Sequence, residues 1–283
     1  AKEARQLLCT YAVTGVAVLV GVTCMATINH EGRAYMLRRW GEAVLYGSGD
    51  ISDRTLWPVE LRIGAIWFLL ALFWAHLLLH AFAKLPYTPV WVVSSFAIGY
   101  ISARYVWLPW SLQSGMCAVA FVYVGYLAKR YDLMGHVKRF PWLWGVAGVI
   151  WVVAIVRFGG MSMAINNYGT RPVQAVIGSL AGTLCVIGIS KLLDHVPALG
   201  RALSWTGQSS LAILCVHLVE DDVLPWQMYL GVLHNLLPHI PLTVTSFVVR
   251  LPIDLAFAAL LYYVPVVNEW FYPQLAKRRQ AAA

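Results

Sequence analysis

Charged residues are scarce in this chain, and their scarcity decides its class. Only 12% of the 283 residues are charged and 60% are hydrophobic, whereas a soluble globular domain carries about 25% charged residues. A soluble protein with an unusually apolar core is the alternative that this composition disfavours. The composition instead predicts a protein that is integral to a membrane.

Cysteine is also sparse, and none of the five cysteines stands in a C-x-x-C pair. A disulfide framework and a cysteine-based metal site are therefore not expected, and small buried apolar side chains are the ordinary role of such thiols. A cleavable signal sequence is not expected either, because the first apolar run is too long for one and ends without a small-x-small site. With no internal repeat either, we predict one membrane domain, residues 1–275, followed by a basic cytoplasmic tail, residues 276–283.

The chain does contain long apolar stretches. Eight of them approach the roughly 20 residues that a helix needs to cross a bilayer: 7–28, 63–82, 86–105, 108–128, 141–157, 172–193, 203–224 and 242–267. Threading the chain back and forth through these spans places all lysines on one side: Lys2, Lys84, Lys129, Lys138, Lys191 and Lys277. Lysine and arginine mark the cytoplasmic side. We therefore predict an all-α, polytopic helical bundle with about eight spans and both termini cytoplasmic.

The net charge of +8 does not predict a nucleic-acid partner, because most basic residues lie in short loops between the apolar stretches. Cationic loops of this kind suit the anionic inner leaflet of a bilayer. Tryptophans near the ends of the spans fit the aromatic belts of membrane interfaces. The lipid bilayer is thus the expected partner, and the cytoplasmic membrane of a bacterium is the expected location.

Polar residues inside the predicted spans are the first candidates for function. A charge near the bilayer centre costs at least about 2.5–3.5 kcal/mol, so it usually faces a bundle interior or a water-filled cavity. Arg250 and Asp254 are four residues apart and share a helix face, either as a structural ion pair or as a lining that holds an anionic substrate group. His217 is either a satisfied core histidine or a general base. His76 and His80 lack an H-E-x-x-H motif and are interpreted as interfacial, so no metal site is predicted.

Four segments, in order along the chain, resemble the membrane enzymes known as acyltransferase family 3. They are 65–73 (AIWFLLALF), 108–127 (LPWSLQSGMCAVAFVYVGYL), 164–169 (AINNYG) with 179–190 (SLAGTLCVIGIS), and 203–217 (LSWTGQSSLAILCVH). Members of this family O-acetylate surface sugars and related acceptors. The resemblance therefore implies a cell-envelope transferase for polysaccharide modification. It would move an acyl group, acetyl above all, from cytoplasmic acyl-CoA (acetyl-CoA) to a hydroxyl of an extracytoplasmic saccharide, without a metal.

The resemblance also implies site residues. It carries over His217 as a catalytic group and the Asn-Tyr-Gly loop as a contact of the acceptor, although an ordinary turn explains such a loop equally. Arg250 joins the catalytic candidates because of its burial cost. The substrate-binding candidates are Asn166, Asn167, Tyr168, Trp67 and Asp254.

A basic cluster follows the fourth predicted span. The cluster consists of Lys129, Arg130, Lys138 and Arg139. Membrane topology alone accounts for it, and the alternative, on the family resemblance, is that it attracts the phosphates of an acyl-CoA donor.

The resemblance has one departure. The family opens with a helix that carries an arginine and, about ten residues later, a histidine central to acyl transfer, and neither this helix nor the next is visible here. We expect this chain to match the family from its third helix onward, and a complete member would have ten spans. The activity of this chain by itself would therefore depend on the family's first two helices. The competing hypotheses are a transporter or sensor of a small polar solute, supported by intramembrane charge and interrupted helices, and an inactive truncated remnant.

Overall fold

The computed structural model describes residues 2–158, 160–236, 239–265 and 267–272, and the predicted basic tail at 276–283 lies outside these ranges. Within them the regular structure is helical, as predicted, with no strand. The α-helices in chain order are α1 (Lys2–Ile28), α2 (Arg33–Tyr46), α3 (Trp67–Phe82), α4 (Thr88–Ser102), α5 (Leu112–Arg130), α6 (Leu133–Arg139), α7 (Trp142–Phe158), α8 (Pro172–Leu193), α9 (Pro197–Gln208), α10 (Ser210–Val223), α11 (Trp226–Leu236), α12 (Leu242–Tyr263) and α13 (Asn268–Phe271).

Four stretches of helix in the described residues are long and apolar enough to cross a bilayer: Arg5–Ile28, Gly64–Phe82, Pro172–Leu193 and Leu242–Tyr263. The number rises to six if two bent helix pairs each count as one span, since α6 and α7 meet at 108° and α9 and α10 at 65°. The remaining predicted spans, 86–105 and 108–128, correspond to α4 with 15 residues and α5 with 19. Each of the eight predicted spans corresponds to helix in the described residues. Only four to six of them have the length and composition that a helix needs to cross a membrane.

The chain forms two compact units. Unit 1 comprises Ala1–Gly47, Val59–Leu69 and Ser204–Ala283, and unit 2 comprises Ser48–Pro58 and Leu70–Leu203. The chain passes between the units four times: after Gly47, after Pro58, within α3 and within α9.

Unit 1 is organised around α10. This helix packs against α1 and α12, while α1 also packs on α2, and α12 also packs on α11 and α13. The hydrophobic core joins these elements and includes Val18, Trp40, Ile66, Ala212, Leu218 and Ala258. Gly64 permits one close approach, because it has a φ of +54° and a Cβ there would lie 2.6 Å from Leu218 Cδ1. The packing holds α10 and α12 side by side, and these two helices carry the candidate site.

In unit 2, α4 packs on α5 and α7 packs on α8. Gly182 of α8 lets the Trp151 ring of α7 approach closely, since a Cβ at this position would lie 2.6 Å from Trp151 Nε1. Close backbone approach at small residues is a common way to pack helices in membranes.

Gly182→Ala is expected to lower the thermal unfolding temperature of the purified protein in detergent. The added methyl forces the Trp151 ring from its place, and overpacking of this kind costs about 1–3 kcal/mol. Gly145→Ala on α7 is the matched control, because a Cβ there meets no atom within 4 Å. Equal unfolding temperatures for the two variants would show that the ring relocates without cost.

Candidate functional site

A cluster of charged side chains joins α10 to α12 in unit 1. His217 Nδ1 lies 3.0 Å from Asp254 Oδ2 and 3.0 Å from Glu220 Oε1. The Arg250 Nε–H donates to Glu220 Oε1 over 2.7 Å, and its Nη2 donates to Asp221 Oδ1 over 2.6 Å. We call these five side chains the α10–α12 charge cluster.

The five side chains of this cluster differ in their exposure. Glu220 and Asp254 are buried, and Arg250 is largely so, whereas 45% of the His217 side chain is accessible. A buried ion is stable only when it is paired and hydrogen-bonded, and each buried carboxylate here has a basic partner. The exposed part of His217 belongs to a cavity of about 570 Å³. The cavity is lined by His217, Leu230, Leu242, Thr243, Ser246, Phe247, Arg250, Leu251 and Asp254.

The structure confirms that Arg250 and Asp254 share one face of α12, but it gives them different partners from those expected. Asp254 pairs with His217, whereas Arg250 pairs with Glu220 and Asp221. These pairs show that α10 and α12 run antiparallel here, so one turn forward on α10 corresponds to one turn back on α12. The ion pair within α12 was one of two interpretations of these residues. In the structure, ion pairs between α10 and α12 take its place.

Glu220 and Asp221 are functional candidates that the sequence analysis missed. Both stand in the last turn of α10, together with Asp222. The C-terminal end of a helix carries a partial negative charge, so carboxylates there are unfavourable unless a cation offsets them. The sequence signal that could have identified them is a run of three acidic residues at the end of an apolar helix, three to five residues after a histidine.

The α10–α12 charge cluster can perform acid–base chemistry. A neutral imidazole whose Nδ1–H donates to a carboxylate has its Nε2 as the basic nitrogen, and the carboxylates fix this tautomer and the ring orientation. Arg250 adds a permanent positive charge to the same cavity wall. A base and a fixed cation at one cavity can remove a proton from a hydroxyl group and stabilise a developing oxyanion.

Three members of the cluster also have the spacing of metal ligands. One ligand atom each from His217, Glu220 and Asp254 lies within 4.8 Å of the other two. However, Glu220 Oε1 already accepts from Arg250, so a cation at this oxygen would compete with the guanidinium. The expectation that the chain uses no metal stays a prediction.

A second cavity of unit 1, of about 350 Å³, is bounded by α1, α10, α12 and α13. We call it the apolar cavity, because its lining is hydrophobic except for Thr14 and Glu220. The lining residues are Val13, Thr14, Ala17, Cys215, Val216, Val219, Glu220, Val223, Leu224, Ile253, Phe257, Leu261, Val267 and Phe271. Glu220 therefore belongs both to the charge cluster and to the wall of the apolar cavity.

The loop predicted to contact the acceptor belongs to unit 2, whereas the charge cluster belongs to unit 1. Asn166 has a left-handed backbone (φ 51°) and its Nδ2 donates to Gly99 O over 3.1 Å. Asn167 Oδ1 accepts from Gly169 N over 3.0 Å. Tyr168 is buried against other aromatic rings, and burial raises the pKa of its phenol, which stays protonated.

These bonds are those of an ordinary turn, but the loop also lines a cavity of about 370 Å³. The cavity lies within unit 2 and includes Arg54 from the 51–54 segment, Tyr100 from α4 and Arg104 from the turn that follows α4. Asn166 Oδ1 is buried without a hydrogen-bond partner in the described residues. The structure thus brings Asn166, Asn167 and Tyr168 together at a polar cavity, and their role stays a prediction.

Trp67 stands at the start of α3 in unit 1, where it packs against the hydrophobic core. Among the described residues it lines neither the His217 cavity nor the apolar cavity. Nothing in its surroundings supports its predicted role in substrate binding, which remains untested.

The basic cluster occupies the last turns of two adjoining helices in unit 2. Lys129 and Arg130 end α5, Lys138 and Arg139 end α6, and all four side chains are exposed. Cations suit these positions because they offset the negative end of each helix dipole. α6 starts directly after α5 because Asp132 caps it, accepting from Gly135 N over 3.2 Å. Four positive charges are thereby held on one short helix–turn–helix.

The comparisons with known proteins give one match. The sequence model of acyltransferase family 3, described as an acyltransferase domain, matches residues 10–266. The match includes the α10–α12 charge cluster, the Asn-Tyr-Gly loop and the basic cluster. No curated protein and no solved structure matches the chain.

Proposed function

Because the chain belongs to acyltransferase family 3 and is a membrane acyltransferase, we propose that it transfers an acyl group from acyl-CoA to a hydroxyl group of an extracytoplasmic saccharide or similar acceptor. The observation that carries the proposal is the position of His217. Its imidazole is held between two buried carboxylates, beside Arg250, at a cavity. The family supplies the reaction class, and the cluster supplies groups that suit it.

The proposed step uses these groups as follows. His217 accepts the proton of the acceptor hydroxyl as its oxygen attacks the carbonyl carbon of the thioester. Arg250 stabilises the oxyanion of the tetrahedral intermediate, because its charge stands at the same cavity. The intermediate collapses with cleavage of the carbon–sulfur bond, and the leaving thiolate takes the proton from the imidazolium. The products are an acyl ester and free CoA, with no oxidation or reduction.

Two features of unit 2 suit the substrates of an acyl transfer. Exposed cations of the basic cluster are suited to the phosphates of CoA, and positive residues face the cytoplasm, where acyl-CoA is found. The cavity beside Asn166, Asn167 and Tyr168 offers polar and aromatic side chains to an acceptor saccharide. The cytoplasmic membrane of a bacterium is the proposed location.

The transporter or sensor hypothesis rests on intramembrane charge and on interrupted helices, above all at Pro252. Arg250 and Asp254 do place charge in the last span, where both pair with α10. The expected interruption at Pro252 is absent, because α12 continues through this residue as one helix from Leu242 to Tyr263. The family match favours group transfer over solute flux.

The test is acyl transfer by the purified full chain in lipid nanodiscs. Acyl-CoA is supplied with a panel of saccharides, free CoA is followed with a thiol reagent, and the saccharides are analysed by mass spectrometry for an added acyl group. Acceptor-dependent release of thiol with a matching mass increase supports the proposal. Solute uptake by proteoliposomes without consumption of acyl-CoA would support the transporter instead.

Removing two charges from the basic cluster is expected to weaken the binding of the donor. In Lys138→Ala/Arg139→Ala, KM for acyl-CoA should rise about tenfold at low salt, with kcat unchanged and a smaller effect at high salt, because exposed charges are screened. Lys84→Ala, which removes an exposed lysine elsewhere on the predicted cytoplasmic side, is the control. Equal KM values for all three proteins at every salt concentration would leave membrane topology as the only role of the cluster.

A further inference from the structure

The cavity of about 370 Å³ beside Asn166 and Asn167 is built by the fold, and we call it the loop cavity. Three segments of unit 2 line it: 51–54, 100–107 and 165–169. Trp107 N donates to Arg54 O over 2.8 Å, which ties the first segment to the second. Asn166 Nδ2 donates to Gly99 O over 3.1 Å, which ties the third segment to α4. The lining residues are therefore held together by hydrogen bonds between the segments.

The predicted threading of the chain places all three segments on the extracytoplasmic side. With both termini cytoplasmic, every odd-numbered span runs outward, and the segments lie at or after the outer ends of the first, third and fifth predicted spans. The structure brings these three segments, which are distant in sequence, to one cavity. A ligand of the loop cavity is therefore expected to come from outside the cell, where an acceptor is found and acyl-CoA is not.

Two arginines line the loop cavity, and neither pairs with a carboxylate in the described residues. Arg54 comes from the first segment and Arg104 from the second. By contrast, Arg38, which the threading places on the same side, pairs with Glu42 over 2.9 Å. Arginine is the side chain best suited to a carboxylate or a phosphate, because its planar guanidinium can donate two parallel hydrogen bonds. Two guanidinium groups without an acidic partner at one cavity indicate an anionic ligand.

Arg104 is already held in a fixed position by Tyr100. Its guanidinium carbon lies 4.7 Å from the centre of the Tyr100 ring, and its Nη2 donates to the Tyr100 hydroxyl group over 2.6 Å. This one hydrogen bond leaves most of the N–H donors of the guanidinium for a ligand. Because the side chain is stacked before the ligand arrives, less conformational entropy is lost on binding.

The uncharged polar groups of the lining also favour a ligand that is rich in acceptors. Asn167 Oδ1 accepts from Gly169 N, so its amide NH₂ remains as a donor. Ser52 Oγ accepts from Arg54 N over 3.3 Å, so its hydroxyl group can still donate. Among the described residues that line the cavity, Asp53 is the one carboxylate, and two arginines outweigh it. Donors and positive charge therefore dominate this cavity.

We propose that the loop cavity binds one residue of an acidic saccharide, so that the acceptor of the proposed reaction is anionic. The acidic group, a carboxylate or a phosphate, pairs with Arg54 and Arg104, and the sugar hydroxyl groups accept from Ser52 and Asn167. The saccharide part of this inference rests on the proposed function. The acidic part rests on the lining of the cavity.

The size of the cavity supports a sugar residue over a small inorganic anion. At about 30 Å³ for each water-sized group, a volume of about 370 Å³ holds roughly a dozen such groups. A hexuronic acid residue has about a dozen non-hydrogen atoms, whereas inorganic phosphate has about five and would leave most of the cavity to water. One charged sugar ring therefore fits both the volume and the donors.

The test is equilibrium binding, measured by calorimetry, to the full chain in nanodiscs of uncharged phosphatidylcholine. The probes are a galacturonic acid tetrasaccharide and its methyl ester, which keeps the rings and removes the charge, with glucose phosphate and glucose as a second pair. We expect an acidic sugar to bind at least about tenfold more tightly than its neutral counterpart at low salt, and less so at high salt, since salt screens exposed charges. The pair that shows the larger difference identifies carboxylate or phosphate. Equal affinity within both pairs would overturn the inference.

Arginine variants connect the binding to this cavity. Arg54→Gln and Arg104→Gln each remove a cation and keep an amide donor, and each should weaken the binding of the acidic probe about tenfold, the scale of a hydrogen bond to a charged group. Arg157→Gln is the matched control, because Arg157 is an exposed arginine of unit 2 on the same predicted side and does not line the cavity. If the control lowers the affinity as much as the two cavity variants, the anion is bound elsewhere and the inference is wrong.

Asp53→Asn makes the opposite prediction, so the inference stays testable if the arginine variants do not fold. The variant removes the negative charge that opposes an anion at close range, and the affinity for the acidic probe should rise about threefold. The affinity for the neutral methyl ester should not change. A lower affinity for the acidic probe would contradict the proposed binding mode.

Competition distinguishes an acidic saccharide from other anions. Inorganic phosphate and glycerol phosphate, which represents the headgroup of an anionic lipid, are added at the same concentration as the acidic saccharide. Weaker competition by both supports a saccharide site, and equal or stronger competition by either would overturn it. Binding is measured without acyl-CoA, so a failure of acyl transfer leaves this result standing. If the chain transfers acyl groups but prefers neutral acceptors, the proposed function holds and this inference fails.

Discussion

His217→Asn is expected to reduce acyl transfer by about 10²- to 10⁴-fold, which is the usual contribution of a general base, while leaving the fold intact. The asparagine amide can occupy the place of the imidazole Nδ1 and continue to donate to Asp254, but it offers no basic nitrogen. The assay is thiol release from acyl-CoA in nanodiscs, with the unfolding temperature measured on the same preparation.

His217→Ala serves as the comparison for this variant. It removes the base and also leaves Asp254 buried without its partner, so we expect the same loss of activity together with a lower unfolding temperature, since an unsatisfied buried acceptor costs about 1–3 kcal/mol. If His217→Asn transfers acyl groups at the wild-type rate, His217 is a structural residue and the proposed mechanism is wrong.

Arg250→Met is expected to be the most destabilising single substitution in the site. Arg250 offsets the buried charge of Glu220 and also pairs with Asp221, and removing one partner of a buried pair costs about 3–5 kcal/mol. Activity should fall as well, because the cation at the His217 cavity is lost. Thermal unfolding and thiol release, measured in parallel, give the two effects.

The double variant Arg250→Met/Glu220→Gln separates these effects. It removes both charges of the pair, so stability should return to within about 1.5 kcal/mol of the wild type, because neutral replacements of a buried pair are often tolerated. Transfer should remain impaired, since no cation faces the oxyanion. Recovery of both properties would assign Arg250 a purely structural role, and recovery of neither would contradict the pairing itself.

Hydropathy predicted where helices form better than it predicted how they bend. The stretch 172–193 has the same bounds as α8, because an uninterrupted apolar run leaves little choice of start and end. The stretch 203–224 is instead two helices that meet at Ser209 with a 65° bend. A bend depends on contacts with other helices, and the composition of one segment does not reveal these contacts.

The site shows the same limit. The spacing of Arg250 and Asp254 correctly placed both on one helix face, because this follows from helix geometry alone. It did not reveal their partners, since Glu220 and His217 lie on another helix, 30 and 37 residues earlier. His217 and Asn166 came from a single family resemblance, yet the structure assigns them to different units.

The position of three acids in the last turn of α10 has a consequence for how the protein enters its membrane. The ribosome produces α10 before α12, so Glu220 and Asp221 reach the bilayer without the arginine that offsets them. Carboxylates in hydrocarbon are costly at this stage, and α10 alone is therefore a poor stop within the lipid. We therefore expect stable insertion of α10 to depend on Arg250, so that the two helices enter the membrane as a pair rather than one after the other.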